Sequence, residues 1–124
     1  MRKPALLLMA ALALSACAAG SSSSGSSLNS DLITRAEIDE AGPSNAYDLI
    51  QKLRPIWLRW RGSTSFTQET DVKVYLDGTG MGEREALRRI DSFNIESIQY
   101  FDARRATNRF GAGHVNGAIL IVTR

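Results

Sequence analysis

Five consecutive apolar residues, Ala118 to Val122, restrict the fold of this 124-residue chain more than any other feature. A strand buried on both faces of a sheet is apolar throughout, whereas a half-buried strand alternates apolar and polar residues. Upstream, Val72, Val74 and Leu76 show that alternation. Extended and helical patterns then alternate irregularly between residues 31 and 124. This arrangement predicts a small α+β domain with a mixed, short-stranded sheet and two to three short helices.

The first part of the domain predicts a short extended segment and two helices. Residues 32–34 are the extended candidate, and residues 35–40 have the pattern of a short helix. Residues 45–54 predict a second helix, with Ser44 as its N-cap and Pro55 as the residue that ends it. Its apolar side chains recur at the spacing of one helical face, namely at Ala46, Leu49, Ile50 and Leu53.

The segment of residues 56–61 predicts a further strand, because apolar residues occupy every second position. One face would carry Ile56, Leu58 and Trp60, and the other would carry Trp57, Arg59 and Arg61. A surface for nucleic acid or lipid headgroups is the alternative, but we expect a half-buried strand whose arginine stems lie over Trp57. The basic residues that suggest the alternative are Lys52, Arg54, Arg59 and Arg61.

The second half of the domain predicts two more helices and a further strand. Residues 83–90 and residues 102–109 have helical patterns, and residues 98–101 are a strand candidate. Ile95 and Ile98 are expected to point into the core.

The first residues have the layout of a secretory signal. The start (MRK) is basic, and residues 5–14 are apolar but too few for a bilayer-spanning helix, which needs about 20 residues. Residues 14–17 (LSAC) resemble the lipobox of bacterial lipoproteins, in which the cysteine becomes the lipidated first residue. The resemblance implies that Cys17 carries acyl chains such as palmitate. The alternative is an ordinary signal peptide cut near Ala19.

These features divide the chain into three parts. A lipoprotein signal peptide covers residues 1–16, a Gly/Ser-rich tether covers residues 17–30, and the folded domain covers residues 31–124. In Gram-negative lipoproteins an Asp after the cysteine favours retention in the inner membrane. Ala18 occupies that position here, so we expect an exported protein anchored in the outer membrane.

The charge of the mature chain argues against nucleic acid as a partner. The full sequence has 15 Lys+Arg and 13 Asp+Glu. Removal of Arg2 and Lys3 with the signal leaves 15 − 2 = 13 basic residues against the same 13 acidic ones. A near-neutral chain has no bulk positive field for nucleic acid.

Residues 76–83 (LDGTGMGE) place three glycines at alternate positions between a strand pattern and a helix pattern. A dinucleotide-binding turn has the form G-x-G-x-x-G, but Glu83 stands where the third glycine belongs. The carboxylates of Asp77, Glu83 and Glu85 would compete with a phosphate. Only Asp102, about 20 residues further on, fits the nucleotide pattern.

We therefore predict that the glycine run binds no cofactor and forms a flexible loop over residues 79–82, leading into the helix from Glu83. As an exposed loop it is the candidate partner-contact site, which comprises Asp77, Gly78, Thr79, Gly80, Met81 and Gly82.

Residues suited to catalysis are scarce. His114 is the single histidine and Cys17 the single cysteine, so the mature domain has no Cys/His nucleophile pair. No G-x-S-x-G elbow occurs, and a lone histidine in a glycine-rich loop seldom forms a metal site. We expect a protein that is not an enzyme and that holds no metal.

A series of motifs extends along the second half of the chain. Asp77-Gly78 closes a strand pattern, IESI follows at residues 95–98, FG at residues 110–111, and NGAILIVTR at residues 116–124. This series resembles the plug domain of TonB-dependent outer-membrane receptors. Upstream, LITRAEI and NAYDLIQKLRP resemble the opening strand and first helix of that domain, so that the likeness spans residues 32–124.

The resemblance implies a plug-like fold and an outer-membrane setting. A receptor enters its β-barrel at the point where this chain reaches Arg124, so we expect the domain to act without a barrel and without transport by itself. We expect a binding or interaction module that docks to an outer-membrane β-barrel, to a TonB-type protein or to a ligand. A truncated receptor relic is the first alternative, and an envelope enzyme or nucleotide binder is the second.

Overall fold

The computed structural model of the chain describes residues 30–59 and 71–124. The signal peptide, Cys17, Trp60, Arg61 and the predicted loop that follows up to residue 70 lie outside the described residues. The strands are β1 (Leu32–Ile33), β2 (Lys73–Leu76), β3 (Thr79–Glu83), β4 (Ile95–Phe101) and β5 (Ala118–Thr123). The α-helices are α1 (Arg35–Ala41), α2 (Ala46–Leu53) and α3 (Ala103–Phe110), and 3₁₀ helices cover Pro55–Leu58, Arg84–Arg89 and Ser92–Asn94.

The five strands form one mixed sheet in the order β1-β4-β5-β2-β3. Strands β2 and β5 run parallel, and the other neighbouring pairs are antiparallel. The predicted α+β class with a mixed, short-stranded sheet is therefore confirmed. β5 lies in the middle of the sheet, and Ala118 to Ile121 are buried, as the apolar run predicted.

Apolar side chains pack on both faces of the sheet. On one face, Ile95, Ile98, Ile119 and Ile121 join the main core with residues of α1, α2 and the first two 3₁₀ helices. The other face is covered by α3 through a smaller cluster, which contains Phe101, Ala106, Ala118 and Leu120 with Tyr75 and Phe110 at its border. The sheet thus has a thick helical layer on one side and a single helix on the other.

The N-cap of α2 is one residue later than predicted. Asn45 has extended backbone angles, and its side-chain oxygen accepts a hydrogen bond from Asp48 N at 2.9 Å. Ser44 instead contacts Ser92, whose hydroxyl accepts from Ser44 N at 3.0 Å. The predicted apolar face of α2 is confirmed, with Ala46, Leu49 and Ile50 buried and Leu53 packed against the core.

The strand predicted over residues 56–61 is wrong in the part that the structure describes. Pro55 has the backbone angle that starts a helix, and it opens the 3₁₀ helix Pro55–Leu58. The two faces are consequently reversed, because Trp57 is 5% exposed and Ile56 is 54% exposed. Trp57 stacks on Tyr100 with ring centroids 5.6 Å apart, and Arg54 forms an ion pair with Glu37 at 2.8 Å.

Two later helices differ from the predictions at their first residues. The helical segment after the glycine run is the 3₁₀ helix Arg84–Arg89. It begins one residue later than predicted, because Glu83 belongs to β3. Asp102 is the N-cap of α3 rather than its first residue, and its carboxylate accepts a hydrogen bond from Arg105 N at 2.9 Å. The one feature that fitted a nucleotide site is thus part of a helix cap.

Candidate partner-contact hairpin

The glycine run forms a β-hairpin, so the predicted flexible loop over residues 79–82 is wrong. β2 and β3 are joined by the two residues Asp77 and Gly78, and Leu76 is paired with Thr79. Both turn residues have positive φ, 49° at Asp77 and 88° at Gly78, as the two central positions of a type I′ turn require. Glycine reaches that region without steric cost, and aspartate tolerates it better than most side chains.

The hairpin geometry differs from that of a phosphate-binding turn. Such a turn leads from a strand into a helix, whose N-terminal N–H groups face the phosphate. Here the turn leads into another strand, and Gly80 and Gly82 lie within that strand. Glu83 at its end pairs with Lys73 across the two strands at 3.5 Å.

The carboxylate of Asp77 is bound within the domain. Its two oxygens accept hydrogen bonds from Thr123, from the backbone N–H at 2.9 Å and from the hydroxyl at 2.6 Å. The backbone N–H of Asp77 donates to Ile121 O at 2.8 Å. The Thr123 hydroxyl, followed by the Thr123 N–H, lowers the pKa of the Asp77 carboxyl below its usual value. The turn is therefore fixed to the end of the central strand.

Strand β3 is the most accessible strand of the described sheet. All five of its residues are exposed, and Met81 retains 43% of its surface. β3 lies at one edge of the sheet, where it pairs with β2 alone among the described strands. A register shift opposite Val74 and Tyr75 adds a bulge to the pairing, and Tyr75 Cε1 lies 3.7 Å from the point where a Cβ at Gly80 would stand.

A buried histidine supports the strand that carries the hairpin. His114 is 5% exposed, and its Nδ1 lies 2.7 Å from Gly111 O while its Nε2 lies 2.7 Å from the hydroxyl of Tyr75. A carbonyl oxygen only accepts, so in the neutral imidazole Nδ1 donates to Gly111 O and Nε2 accepts from the hydroxyl of Tyr75. Tyr75 also stacks on Phe110 with ring centroids 4.0 Å apart. His114 thus holds the loop before β5 against β2.

The candidate chemistry of the domain is otherwise limited. Among the described residues, no group of three His, Cys, Asp or Glu side chains is arranged to hold a metal ion. An open groove of about 270 Å³ lies on the side of α1, lined by Arg35, Asp39, Asp91 and Phe93 with neighbouring residues. Arg35 is engaged there with Asp39 and with the carbonyl of Ser92. The hairpin is therefore the more accessible candidate.

The structure brings the six predicted contact residues together in one hairpin. Gly78 and Thr79 lie at or next to the tip, residues 80–82 lie along the outer edge of the described sheet, and Asp77 is turned toward Thr123. An Asp-Gly pair after an alternating strand is a strong sequence signal for a two-residue hairpin, and it identifies this turn. The sequence reading missed Glu83, which belongs to the same exposed strand.

Comparison of the chain with protein-family models, with curated proteins and with solved structures gives no match. In the part of the chain that the structure describes, no helix is long and apolar enough to cross a membrane.

Proposed function

We propose that the chain is an exported lipoprotein, anchored in the outer membrane through lipid on Cys17, whose domain binds another envelope protein through the β2–β3 hairpin. One observation supports this choice of contact site most strongly. β3 is exposed along its whole length, and its outer edge is unpaired among the described strands. A free edge presents unpaired backbone donors and acceptors, which an extended segment of another chain can pair with.

The rigidity of the hairpin supports a binding role. Asp77 is hydrogen-bonded to Thr123, and Tyr75 is hydrogen-bonded to His114, so the C-terminal half of β2 and the turn after it are held to the rest of the domain. A preorganised edge loses little conformational freedom when a partner binds. The same bonds occupy the single histidine and the turn aspartate, which supports binding over catalysis.

The resemblance to the plug domain of TonB-dependent receptors supports a partner from the outer-membrane transport machinery. Its motifs fall on the β2–β3 turn, on β4 and on β5, and the strands β4, β5 and β2 are neighbours in the sheet. The proposed partners are accordingly an outer-membrane β-barrel and a TonB-type protein. The domain is proposed to act as an interaction module and not as a transporter by itself.

The anchor is tested by replacing Cys17 with Ser and separating soluble from membrane fractions of the host cells. We expect the wild-type chain to incorporate labelled palmitate and to sediment with outer membranes, and the variant to do neither. Ser26→Ala, in the tether, is the matched control and should behave as wild type. A Cys17→Ser chain that is still processed and membrane-bound would refute the lipoprotein assignment.

The contact site is tested by affinity capture from detergent extracts of the envelope. We expect reproducible enrichment of one membrane protein by the wild-type chain and its loss with Met81→Lys, because a lysine on a free edge opposes strand pairing. Val115→Lys is the control, since Val115 is 51% exposed in the loop before β5. Equal capture by the two lysine variants would place the contact elsewhere, and no enrichment at all would favour the truncated-receptor alternative.

A further inference from the structure

The outward face of α3 is basic. The helix has the sequence ARRATNRF, with three arginines and no acidic residue. Its inward face is formed by Ala106, which is fully buried, and by Phe110, which packs on Tyr75. Arg104 and Arg109 are exposed, and neither pairs with a carboxylate of the described residues. α3 is therefore an amphipathic helix whose apolar side covers the sheet and whose basic side faces solvent.

The remaining arginine of α3, Arg105, lies where the proposed tether meets the domain. The guanidinium of Arg105 contacts Asp31 Oδ2 at 2.8 Å, Asp102 Oδ2 at 2.9 Å and the carbonyl of Tyr100 at 3.0 Å. The carbonyl of Asp31 in turn accepts from Tyr100 N at 2.8 Å. The first residues of the folded domain are thus fixed beside the N-terminal end of α3.

The length of the tether keeps this helix close to the proposed anchor. A Gly/Ser-rich coil of the length of residues 17–30 has a root-mean-square end-to-end distance of roughly 20 Å. That distance is comparable to the width of the domain's own sheet, since its five strands are spaced at about 4.8 Å. Because Asp31 directly follows the proposed tether and contacts Arg105, a membrane that holds the anchor would lie within reach of α3.

We propose that the basic face of α3, with Arg104 and Arg109 as its contact residues, docks on anionic phospholipid headgroups of the membrane that holds the chain. This inference rests on the proposed lipid anchor, which brings the membrane within reach. The three arginines of α3 and the two carboxylates that pair with Arg105, those of Asp31 and Asp102, give a local net charge of 3 − 2 = +1. The attraction of the domain to the membrane is therefore modest, and the anchor strengthens it by holding the domain near the surface.

Docking through α3 would orient the candidate contact site. α3 lies on one face of the sheet, so the sheet would lie about 10 Å above the headgroups, the thickness of one helix. The free edge of β3, at the side of the sheet opposite to β1, would then face sideways along the membrane. A segment of a neighbouring membrane protein would reach it there.

The test measures sedimentation of the chain with lipid vesicles. The chain from residue 17 onward, with Cys17→Ser, retains every described residue and removes the lipid and the signal. We expect stronger binding to vesicles of phosphatidylcholine mixed with phosphatidylglycerol than to pure phosphatidylcholine, and weaker binding as salt increases. Arg104→Gln with Arg109→Gln should reduce the partition coefficient on the order of tenfold. Arg104→Lys with Arg109→Lys should retain most of it.

The matched control removes two exposed arginines from the opposite side of the sheet, by Arg59→Gln with Arg89→Gln. Circular dichroism should show that all variants are folded. Equal losses with both glutamine pairs would contradict the proposal, because net charge alone would then explain binding. Displacement from vesicles by inorganic phosphate at constant ionic strength would also contradict it, because it would indicate a phosphate site instead of a membrane surface. Both results are independent of Cys17 lipidation, which the cell-fractionation experiment tests.

Discussion

The carboxylate of Asp77 is bound to Thr123 through both of its oxygens, at 2.9 Å to the backbone N–H and at 2.6 Å to the hydroxyl. Asp77 is in the turn between β2 and β3, and Thr123 is the last residue of β5. Because β2 and β5 are parallel neighbours, their C-terminal ends lie side by side at the same end of the strands. The pair thereby fixes the turn of the hairpin to the end of the central strand.

Asp77→Asn should weaken this attachment while keeping a side chain that tolerates positive φ. The folded-state pKa of Asp77 is lowered, so its stabilisation is present above the unfolded value of about 3.9 and is lost as the pH falls through the folded value. The difference in free energy of unfolding between wild type and variant should be largest at neutral pH and vanish in acid. Urea titrations across pH measure it, with the exposed Glu40→Gln as control. A difference that persists in acid would contradict the assignment.

Gly117 has no space for a side chain. Its φ is +85°, and a Cβ there would lie 2.3 Å from Phe101 O. Gly117→Ala should lower the free energy of unfolding on the order of 3 kcal/mol, since it combines backbone strain with a clash against backbone. Gly113→Ala has a similar φ of +98° but no atom within 4 Å, so it should cost about 1–2 kcal/mol. If urea unfolding gave the same loss of unfolding free energy for Gly117→Ala and Gly113→Ala, the loop around Gly117 would have moved to make room for the methyl group.

Trp57→Ala should cost about 3–5 kcal/mol of unfolding free energy, because it empties a core site and removes the stacking on Tyr100. The adjacent Ile56 is 54% exposed, so Ile56→Ala should change the stability by less than about 0.5 kcal/mol. Thermal and urea unfolding distinguish the two variants. The reverse order of costs would support the strand pattern that the sequence suggested.

Tyr75→Phe keeps the ring stacked on Phe110 but leaves the buried Nε2 of His114 without its donor. The loss should be about 1–2 kcal/mol of unfolding free energy. Tyr47→Phe is the control, because Tyr47 is a half-buried tyrosine whose ring contacts the guanidinium of Arg88. If the two tyrosine variants were equally stable, the hydrogen bond to His114 would contribute nothing.

The parts of the fold that the sequence predicts are those set by long apolar patterns. The run from Ala118 to Ile121 identifies the central strand, and the face of Ala46, Leu49 and Ile50 identifies α2, because burial determines both patterns. The sequence predicts the wrong face for Trp57, because apolar residues at every second position of a short segment fit a 3₁₀ turn as well as a strand. Pro55 at the start of that segment is the signal that decides between them.

The conformation of the candidate site differs from the flexible loop that the sequence predicts, because residues 79–83 form a strand. Thr79 to Glu83 contains two glycines and no buried residue, so no apolar pattern marks it as a strand. Only the Asp-Gly turn does so. The bonds that position the site join residues far apart in sequence, such as Asp77 with Thr123 and Asp31 with Arg105. Such pairs depend on strand order, which local patterns do not determine.

Site-specific photocrosslinking in living cells tests the central claim, that the free edge of β3 contacts another envelope protein, most directly. A photoreactive amino acid at Met81, which is exposed on that edge, should give one discrete adduct with a membrane protein. The adduct should be absent with the probe at Val115, and it should disappear when Cys17 is replaced by Ser. No adduct at Met81, or the same adducts at Met81 and Val115, would contradict the account.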